Sequence, residues 1–516
     1  MAFTEREKNR VRKSARNIFT SAFFQTVLGI IAFVERTVFL KYLDVDYLGL
    51  NSLFSNVLYV LSIAELGLGS AIAFMLYKPL AEDNHNKISV YMHFFKKAYT
   101  VIGSIIIIVG LCLSPFIRIF ATSSDSIGHI GYYFIIYLLA IGCTYFFSYK
   151  QILIEADQKK YINQTIICLG SIIQSLLQMF VLYKTSNYAL YLAVFFICNI
   201  GKNLIISVYA DRLYPFLKKH KSRKSDLTAS DRKSITRNIK AMCFHKLGGI
   251  AIGSSDSILI SYLIDIRSLG LYANYLIIID AVKNGMRVFY SSVLASIGNM
   301  CATEDDENIY YAFKTLNFTN YILFSYVTVL LFNLIQTAIT LWLGKDLLLP
   351  ISTVALVCVV LFLNGTRSMI LNFHDAYGLF WADKYKRVLE AVVNIIVSFV
   401  FGKLYGLNGI FIGTIASNLV GFWIDGWAVY RYAFHRNVSE YIFMYIRQFL
   451  VTVVVLSITF GVNMLVRGSG LISVLIRIVI SMLIPIGCYY LIYHNNSDFI
   501  ALKNNVADML HMVKRK

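Results

Sequence analysis

The sequence predicts an all-α, polytopic membrane protein with about fourteen transmembrane helices. Hydrophobic residues make up 57% of the 516 residues and the mean hydropathy is +0.63, which is more apolar side chain than a soluble fold of this length can bury. The apolar runs are continuous, as in 102–113 and 451–460, whereas transmembrane barrels alternate apolar and polar residues. The chain has only five prolines, so long helices are favoured.

Fourteen apolar segments are long enough to cross a bilayer at ~20 residues per crossing. They are 17–40, 48–77, 98–120, 130–149, 163–183, 188–209, 240–263, 269–298, 315–343, 350–373, 388–406, 408–431, 444–466 and 471–493. The second segment carries Glu65, followed by Gly67 and Gly69. A charged group in a lipid-crossing helix is costly unless it faces protein or water, so this helix is predicted to line an interior.

Positive charge alternates along these segments as membrane topology requires. The net charge is +19, and basic residues gather in every second connection: 6–16, 78–97, 150–160, 212–240, 384–387, 431–436 and the C-terminal KRK. Basic connections are cytoplasmic, which predicts that both termini are cytoplasmic. The charge is thereby explained without nucleic acid, which is not expected as a partner. The acidic segment 304–307 is the exception among the predicted inner connections.

The second half of the chain repeats landmarks of the first at an offset of about 220–226 residues. The triplet at 16–18 (RNI) returns at 237–239, and the triplet at 48–50 (LGL) returns at 269–271. Six segments fit in this offset, so both repeats have the same orientation and are related by an axis along the membrane normal. We therefore predict two six-helix lobes plus two C-terminal helices. The boundaries are 1–210 for the N-terminal lobe, 211–239 for a basic cytoplasmic linker, 240–432 for the C-terminal lobe, 433–497 for the last two helices and 498–516 for a cytoplasmic tail.

Charged residues within the predicted helices define a candidate site. Those too deep to snorkel easily are Glu65, Asp280, Lys283, Arg287 and Arg367. Those closer to a helix end, for which snorkelling is the simpler interpretation, are Arg36, Lys246, Glu390, Asp425 and Arg477. The deep excess is cationic, which suits an anionic substrate, because guanidinium groups bind phosphate oxygens in a bidentate way. A purely structural ion pair between Asp280 and Lys283 stays an alternative.

The sequence carries no motif for catalysis or metal binding. It has no HExxH, no GxSxG and no nucleotide-binding GxxxxGK[ST], and its eight cysteines form no CxxC pair. A membrane glycosyltransferase or polymerase would need a nucleotide-sugar site or a large external loop. The chain is therefore not expected to be an enzyme, and no cofactor or metal is expected.

Four stretches, YLGLNSLFSN, ELGLGSAIAFMLYKPLAE, LIEADQKKY and LGLYANYLII, resemble the polysaccharide-export (Wzx-type) flippases. This family belongs to the multidrug/oligosaccharidyl-lipid/polysaccharide exporter superfamily, and the resemblance extends from about Arg16 through the fourteenth segment. It implies a flippase in a bacterial cell membrane. By alternating access, such a protein moves undecaprenyl-diphosphate-linked oligosaccharide repeat units from the inner to the outer leaflet for capsule or exopolysaccharide biosynthesis. The implied partners are that lipid-linked oligosaccharide, membrane lipids, and the polysaccharide polymerase and assembly machinery.

The resemblance also assigns roles to the charged residues. The cations that it implies for binding the lipid diphosphate are Arg36, Lys283, Arg287 and Arg367. Ion-coupled relatives use buried carboxylates, and the candidates here are Glu65 and Asp256, followed by Glu35 and Asp280. Coupling to H⁺ or Na⁺ is therefore open.

Two alternative functions stay open. A flippase for the peptidoglycan lipid precursor fits the fold and the charge almost equally well. A cation-coupled multidrug exporter would have an acidic or apolar interior, whereas the intramembrane excess here is basic.

Overall fold

The computed structural model describes residues 5–65, 68–122, 127–219, 253–379, 382–466, 468 and 470–503. Within this part, secondary structure is helical and contains no strand, and eleven helices are long and apolar enough to cross a membrane. The predicted all-α, polytopic membrane architecture is thus confirmed. The chain divides into two compact units, Met1–Gly270 and Leu271–Lys516. The predicted lobe boundaries stay a prediction, since most of the linker and the seventh segment lie outside the described residues.

Unit 1 is built mainly from helices of the first half of the chain. They are α1 (Glu5–Tyr42), α2 (Val45–Leu61), α3 (Leu68–Ala81), α4 (His85–Leu113), α5 (Ile130–Gly142), α6 (Tyr145–Ala156), α7 (Lys160–Thr185), α8 (Tyr188–Leu213), α9 (Phe216–Lys219) and α10 (253–263). α7 packs against both α1 and α8, and α6 packs against α3 and α4. Aromatic side chains of α4, including Phe95 and Tyr99, are fully buried in the core between α3, α4 and α6.

Unit 2 holds the remaining helices. They are α11 (Ile266–Thr303), which begins in unit 1, α12 (Asp306–Leu343), α13 (Ile351–Ala376), α14 (Lys386–Tyr405), α15 (Leu407–Tyr432), α16 (Val438–Leu465), α17 (Leu471–Tyr493) and α18 (497–503). The acidic segment 304–307 has a local role here. The carboxylate of Asp305 caps α12 by accepting from the amide of Asn308 at 3.2 Å, and negative charge is stabilised at a helix N-terminus.

The second predicted segment is two helices, not one. α2 ends at Leu61, a 3₁₀ turn follows at Ser62–Glu65, and α3 begins at Leu68. The carboxylate of Glu65 accepts a hydrogen bond from the hydroxyl of Tyr99 on α4 at 2.9 Å. A Cβ at Gly69 would lie 3.3 Å from that carboxylate, so glycine leaves room for it. The break therefore brings an intramembrane charge to a hydrogen-bonding partner.

A reciprocal contact joins the starts of α2 and α11. A Cβ on Gly49 would lie 2.0 Å from the carbonyl oxygen of Ile266, and a Cβ on Gly270 would lie 2.3 Å from that of Val45. Gly49 and Gly270 are counterparts in the repeat, and so are Val45 and Ile266. A two-fold relation makes equivalent residues exchange contacts in this way. Only glycine allows the two backbones to approach so closely.

The last two spanning helices belong to the core of unit 2. The buried hydroxyl of Ser325 on α12 lies 2.6 Å from that of Thr452 on α16 and hydrogen-bonds Tyr489 on α17. Nearer the other end of α12, the amide of Asn463 donates to Asn333 at 3.0 Å. Hydrogen bonds between membrane helices stabilise by roughly 0.6 kcal/mol each on average, so this ladder fixes the register of α16 and α17 on α12.

Candidate functional site

A buried network of charged side chains connects α13, α14 and α15 in unit 2. The Nε atom of Arg367 donates to Asp425 at 2.5 Å, and its Nη2 atom donates to Glu390. Lys386, the first residue of α14, donates to the second oxygen of Asp425 at 2.5 Å. All four side chains are at most 5% exposed. Each charge is therefore compensated at a depth where an unpaired charge is strongly unfavourable.

The network continues into the connection between α13 and α14. Lys386 also pairs with Asp383, and the Nε2 atom of His374 lies 3.0 Å from Oδ2 of Asp383. Asp383 lies outside the spanning helices. Burial would raise the pKa of Asp383, but hydrogen bonds from His374 and Lys386, together with their charges, lower it to about 2. Asp383 is thus ionised at neutral pH and fastens the start of α14 to the end of α13.

A glycine on α15 provides the space for this network. A Cβ on Gly421 would lie 1.6 Å from Oε1 of Glu390 and 2.3 Å from Nη2 of Arg367. The ion pair therefore lies directly against the backbone of α15. Any larger residue at 421 would displace the pair or push the helices apart.

The structure places Arg367 in a closed ion pair. Its role as a diphosphate ligand stays a prediction, and in this conformation its donors are bound by Glu390 and Asp425. The interpretation that these two carboxylates snorkel to an interface is wrong, because both are buried and paired. Sequence analysis places Lys386 in the basic connection 384–387 and does not identify Lys386 or Asp383 as site residues. The available signal was the spacing of Lys386 and Glu390, which places both on one face of a helix.

Two of the predicted site residues meet on α11. The Nζ atom of Lys283 lies 3.6 Å from Oδ1 of Asp280, and the two side chains are 42% and 56% exposed. The pair that sequence analysis left open as structural is therefore formed, but loosely and in an open position. Arg287 follows one turn later on α11, and its side chain lies outside the described residues.

In unit 1, Glu35 on α1 is held by two neighbouring helices. The hydroxyl of Ser175 on α7 donates to Oε2 of Glu35 at 2.5 Å, and the hydroxyl of Tyr191 on α8 donates to Oε1 at 2.9 Å. Glu35 and the adjacent Arg36 are both partly buried. Further along α8, Lys202 donates to Gln174 on α7 at 2.9 Å. The α1–α7–α8 layer thus holds two cations and a carboxylate within the predicted spans.

The remaining predicted carboxylates lie apart from that layer. Glu65 is bound by Tyr99 at the break between α2 and α3, and Asp256 is a partly buried residue of α10. Among the residues that the structure describes, no three His, Cys, Asp or Glu side chains gather as metal ligands would. The predicted cations divide between the units, with Arg36 in unit 1 and Lys283, Arg287 and Arg367 in unit 2.

No protein-family model matches this sequence, and no curated protein does. Several solved structures have the same fold. The lipid II flippase MurJ, in an inward closed conformation, aligns with 94% of this chain and 99% of its own, with a TM-score of 0.68 and 16% identity. An inward-facing multidrug resistance MATE family transporter of the MOP superfamily aligns with 78% of this chain and 94% of its own, with a TM-score of 0.60 and 13% identity.

A mutant of the Vibrio cholerae MATE transporter VcmN covers 84% of this chain and 99% of its own, with a TM-score of 0.55 and 12% identity. At these identities the likeness establishes the fold alone. The chain is therefore a multi-pass membrane protein with the fold of these flippases and transporters.

Proposed function

We propose that this protein is a flippase of the multidrug/oligosaccharidyl-lipid/polysaccharide exporter superfamily. Its proposed substrate is an undecaprenyl-diphosphate-linked oligosaccharide repeat unit, moved from the inner to the outer leaflet for capsule or exopolysaccharide biosynthesis. The supporting observation is the extent of the likeness to the lipid II flippase. Coverage of 94% leaves about 31 residues of this chain unaligned. The helices α16 and α17 have 28 and 23 residues, so together they are longer than the unaligned part. The likeness thus extends into at least one of the two helices that follow the predicted repeat.

Charge on α11 supports an anionic head group as the part of the substrate that is recognised. Among the described residues, Lys283 pairs with one carboxylate, that of Asp280, and both side chains are about half-exposed. An exposed ion pair contributes only about 0–1 kcal/mol, so little free energy is lost when another anion takes the place of Asp280. A diphosphate could therefore displace Asp280 from Lys283. Arg287, one turn away, and Arg36 in unit 1 are further proposed phosphate ligands. Arg367 stays a predicted one, whose donors are bound by two carboxylates in this conformation.

The proposed mechanism is alternating access by the two units. Each charge that crosses the membrane exchanges ~2.3 kcal/mol per 100 mV. A diphosphate with about two negative charges, leaving a negative interior, therefore gains roughly 4–5 kcal/mol per 100 mV. The membrane potential can thus favour export, while the return of the empty cationic carrier opposes it. This opposition is the reason to consider coupling to H⁺ or Na⁺ through a carboxylate such as Glu65 or Asp256.

The alternatives differ in what accumulates when the protein is missing. The aligned flippase carries lipid II in its name, which favours the peptidoglycan-precursor alternative. The aligned MATE transporters favour multidrug export.

We would delete the gene and identify the undecaprenyl-linked intermediates in the inner leaflet. Accumulation of a lipid-linked oligosaccharide repeat with loss of surface polysaccharide supports the proposal. Accumulation of the peptidoglycan precursor, or normal polysaccharide with greater sensitivity to cationic drugs, would replace it with the corresponding alternative.

Complementation then tests the cationic site. Lys283→Ala and Arg287→Ala should fail to restore surface polysaccharide at normal protein levels. Lys345→Ala is the matched control, because Lys345 is an exposed lysine of unit 2 in the connection before α13. Export by the Lys283 and Arg287 variants at the level of this control would remove α11 from the substrate site. The polymerase and assembly machinery stay predicted partners.

A further inference from the structure

Unit 2 contains a cavity of about 340 Å³ that shares no lining residue with the buried charge network. Side chains of α12, α15, α16 and α18 line it, together with the end of α17. The volume is at the lower end of the range for small-molecule sites. The chemistry of the cavity comes from two cations, two carboxylates and one buried amide: Lys314, Arg447, Glu440, Asp498 and Gln448.

The two cations of the cavity are available to bind an anionic group. Lys314 and Arg447 are exposed, and neither forms an ion pair with a carboxylate of the described residues. The guanidinium of Arg447 lies 5.8 Å from the ring centroid of Tyr493, which also lines the cavity. An arginine stacked on an aromatic ring keeps its edge donors available for a phosphate group.

The cavity also holds acceptors that need a donor. Gln448 is only 4% exposed, and its Oε1 atom accepts no hydrogen bond from any described residue. A buried polar atom is normally hydrogen-bonded. Glu440 and Asp498 add carboxylate oxygens to the same lining. Glu440 already accepts a hydrogen bond from the hydroxyl of Tyr310 at 2.9 Å, and Asp498 accepts one from Thr315 at 3.5 Å, but a carboxylate can accept more than one such bond. A ligand that satisfies these groups must carry hydroxyl or ammonium donors as well as an anionic group.

The position of the cavity indicates that such a ligand would be a membrane lipid. α12 has 38 residues and is about 57 Å long at ~1.5 Å per residue, against a hydrocarbon thickness of ~30 Å. The predicted spanning segment begins at residue 315, so the excess length includes the N-terminal turns of α12, and Lys314, the ninth residue of the helix, lies at the edge of the span. On α16, Glu440 lies in the first turn. The cavity is thus at the depth of lipid head groups.

We propose that this cavity binds the head group of a glycerophospholipid. The phosphodiester lies between Lys314 and Arg447, and the terminal hydroxyl or ammonium group donates to Gln448 and the carboxylates. The two carboxylates would repel a diphosphate with two negative charges, whereas they suit a singly charged phosphodiester with a donor group. The site is therefore distinct from that of the proposed substrate and does not depend on it.

The first test measures binding of short-chain phosphatidylethanolamine and phosphatidylglycerol to the purified full-length protein in detergent, by native mass spectrometry. Arg447→Gln should weaken binding about tenfold, the effect of one charge-assisted hydrogen bond. Arg431→Gln is the matched control, because Arg431 also stacks on a ring of unit 2, at 6.0 Å from Trp427, but does not line the cavity. Equal binding by these two variants would overturn the proposal.

A second test examines the donor requirement. Phosphatidylcholine has the same charges as phosphatidylethanolamine but no N–H donor on its head group, so the wild-type protein should bind it more weakly. Gln448→Leu should reduce that preference without changing the unfolding temperature by more than a few degrees. No preference in the wild-type protein, or an unchanged preference in this variant, would contradict the role of Gln448.

Competition distinguishes the two sources of the phosphate ester. Free glycerophosphoethanolamine keeps the singly charged phosphodiester and the ammonium donor but lacks the acyl chains that lie in the membrane, so it should not displace the lipid at equal concentration. Displacement with equal affinity would overturn the lipid as ligand and assign the cavity to a soluble phosphate ester.

Discussion

Replacing Gly421 with alanine tests whether the buried charge network stabilises unit 2. The added methyl group would lie 1.6 Å from Oε1 of Glu390 and 2.3 Å from Nη2 of Arg367, so the pair cannot stay where it is. Separating a buried ion pair costs about 3–5 kcal/mol, and overpacking alone costs about 1–3 kcal/mol. Alanine returns only about 1 kcal/mol through its helix propensity. We expect a net loss of about 3 kcal/mol in the free energy of unfolding.

The assay is thermal unfolding in detergent, followed with a thiol-reactive dye. The buried thiols of Cys168 and Cys358 become reactive on unfolding, above the signal of the exposed Cys112. A loss of this size should lower the unfolding midpoint by roughly 5–10 °C. Gly461→Ala on α16 is the matched control, because a Cβ there would meet no atom within 4 Å. Alanine at 461 should leave the midpoint unchanged or raise it slightly.

A double-mutant cycle identifies the cause. In a Glu390→Ala background the carboxylate is gone and Arg367 has space to move, so Gly421→Ala should cost at least ~1 kcal/mol less than in the wild-type background. Additive losses in the free energy of unfolding would refute the reasoning, because they would show that Gly421→Ala destabilises the protein independently of the ion pair. A Gly421→Ala midpoint equal to that of Gly461→Ala would refute it as well.

Three further predictions follow from the other contacts. The pKa of Asp383 is about 2, below its ordinary 3.8, so its stabilising effect is present above about pH 4 and is lost as the pH falls toward 2. Between these pH values the unfolding midpoint of the wild-type protein should fall toward that of Asp383→Asn. Parallel plots of midpoint against pH for the two proteins would contradict this. Gly49→Ala and Gly270→Ala should each lower the midpoint by a similar amount, since each adds a methyl group against a carbonyl oxygen of the same reciprocal contact; a large effect of only one would argue against the repeat relation. Glu65→Gln should keep the hydrogen bond from its tyrosine partner and lower the free energy of unfolding by under ~1 kcal/mol, so the variant should stay folded for a transport assay. If Glu65→Gln and Asp256→Asn leave export and its H⁺ or Na⁺ dependence unchanged, ion coupling through these carboxylates is excluded.

Sequence analysis predicted the helical membrane fold because composition and segment length depend on the bilayer alone. The predicted repeat pointed to two glycines that the structure places in contact, because the triplets at 48–50 and 269–271 contain Gly49 and Gly270 of the reciprocal contact. The break in the second segment was not readable. Hydropathy treats 48–77 as one run, whereas the 3₁₀ turn at Ser62–Glu65 accompanies a hydrogen bond to Tyr99, 34 residues away. Such a partner becomes visible only when α4 is packed beside it.

The candidate site shows the same limit. Depth within α13 establishes that Arg367 must be compensated, but the sequence does not say by what. The compensating carboxylates, Glu390 and Asp425, are 23 and 58 residues away on two other helices. Because Arg367 is already paired, a phosphate would have to displace two buried carboxylates to reach it, at a cost of several kcal/mol.

A cation in a membrane protein can be matched either by a protein carboxylate or by an anionic substrate, and burial distinguishes the two cases. Arg367 and Lys386 are matched internally at 5% exposure, which suits a permanent brace. Lys283 is 42% exposed, and its carboxylate lies at 3.6 Å, so little free energy is lost when a phosphate replaces that partner. For this reason substitution of Lys283 should affect export with little effect on stability, whereas substitution of Arg367 should affect stability first. Loss of export in an Arg367 variant at a normal level of folded protein would support its predicted role as a diphosphate ligand.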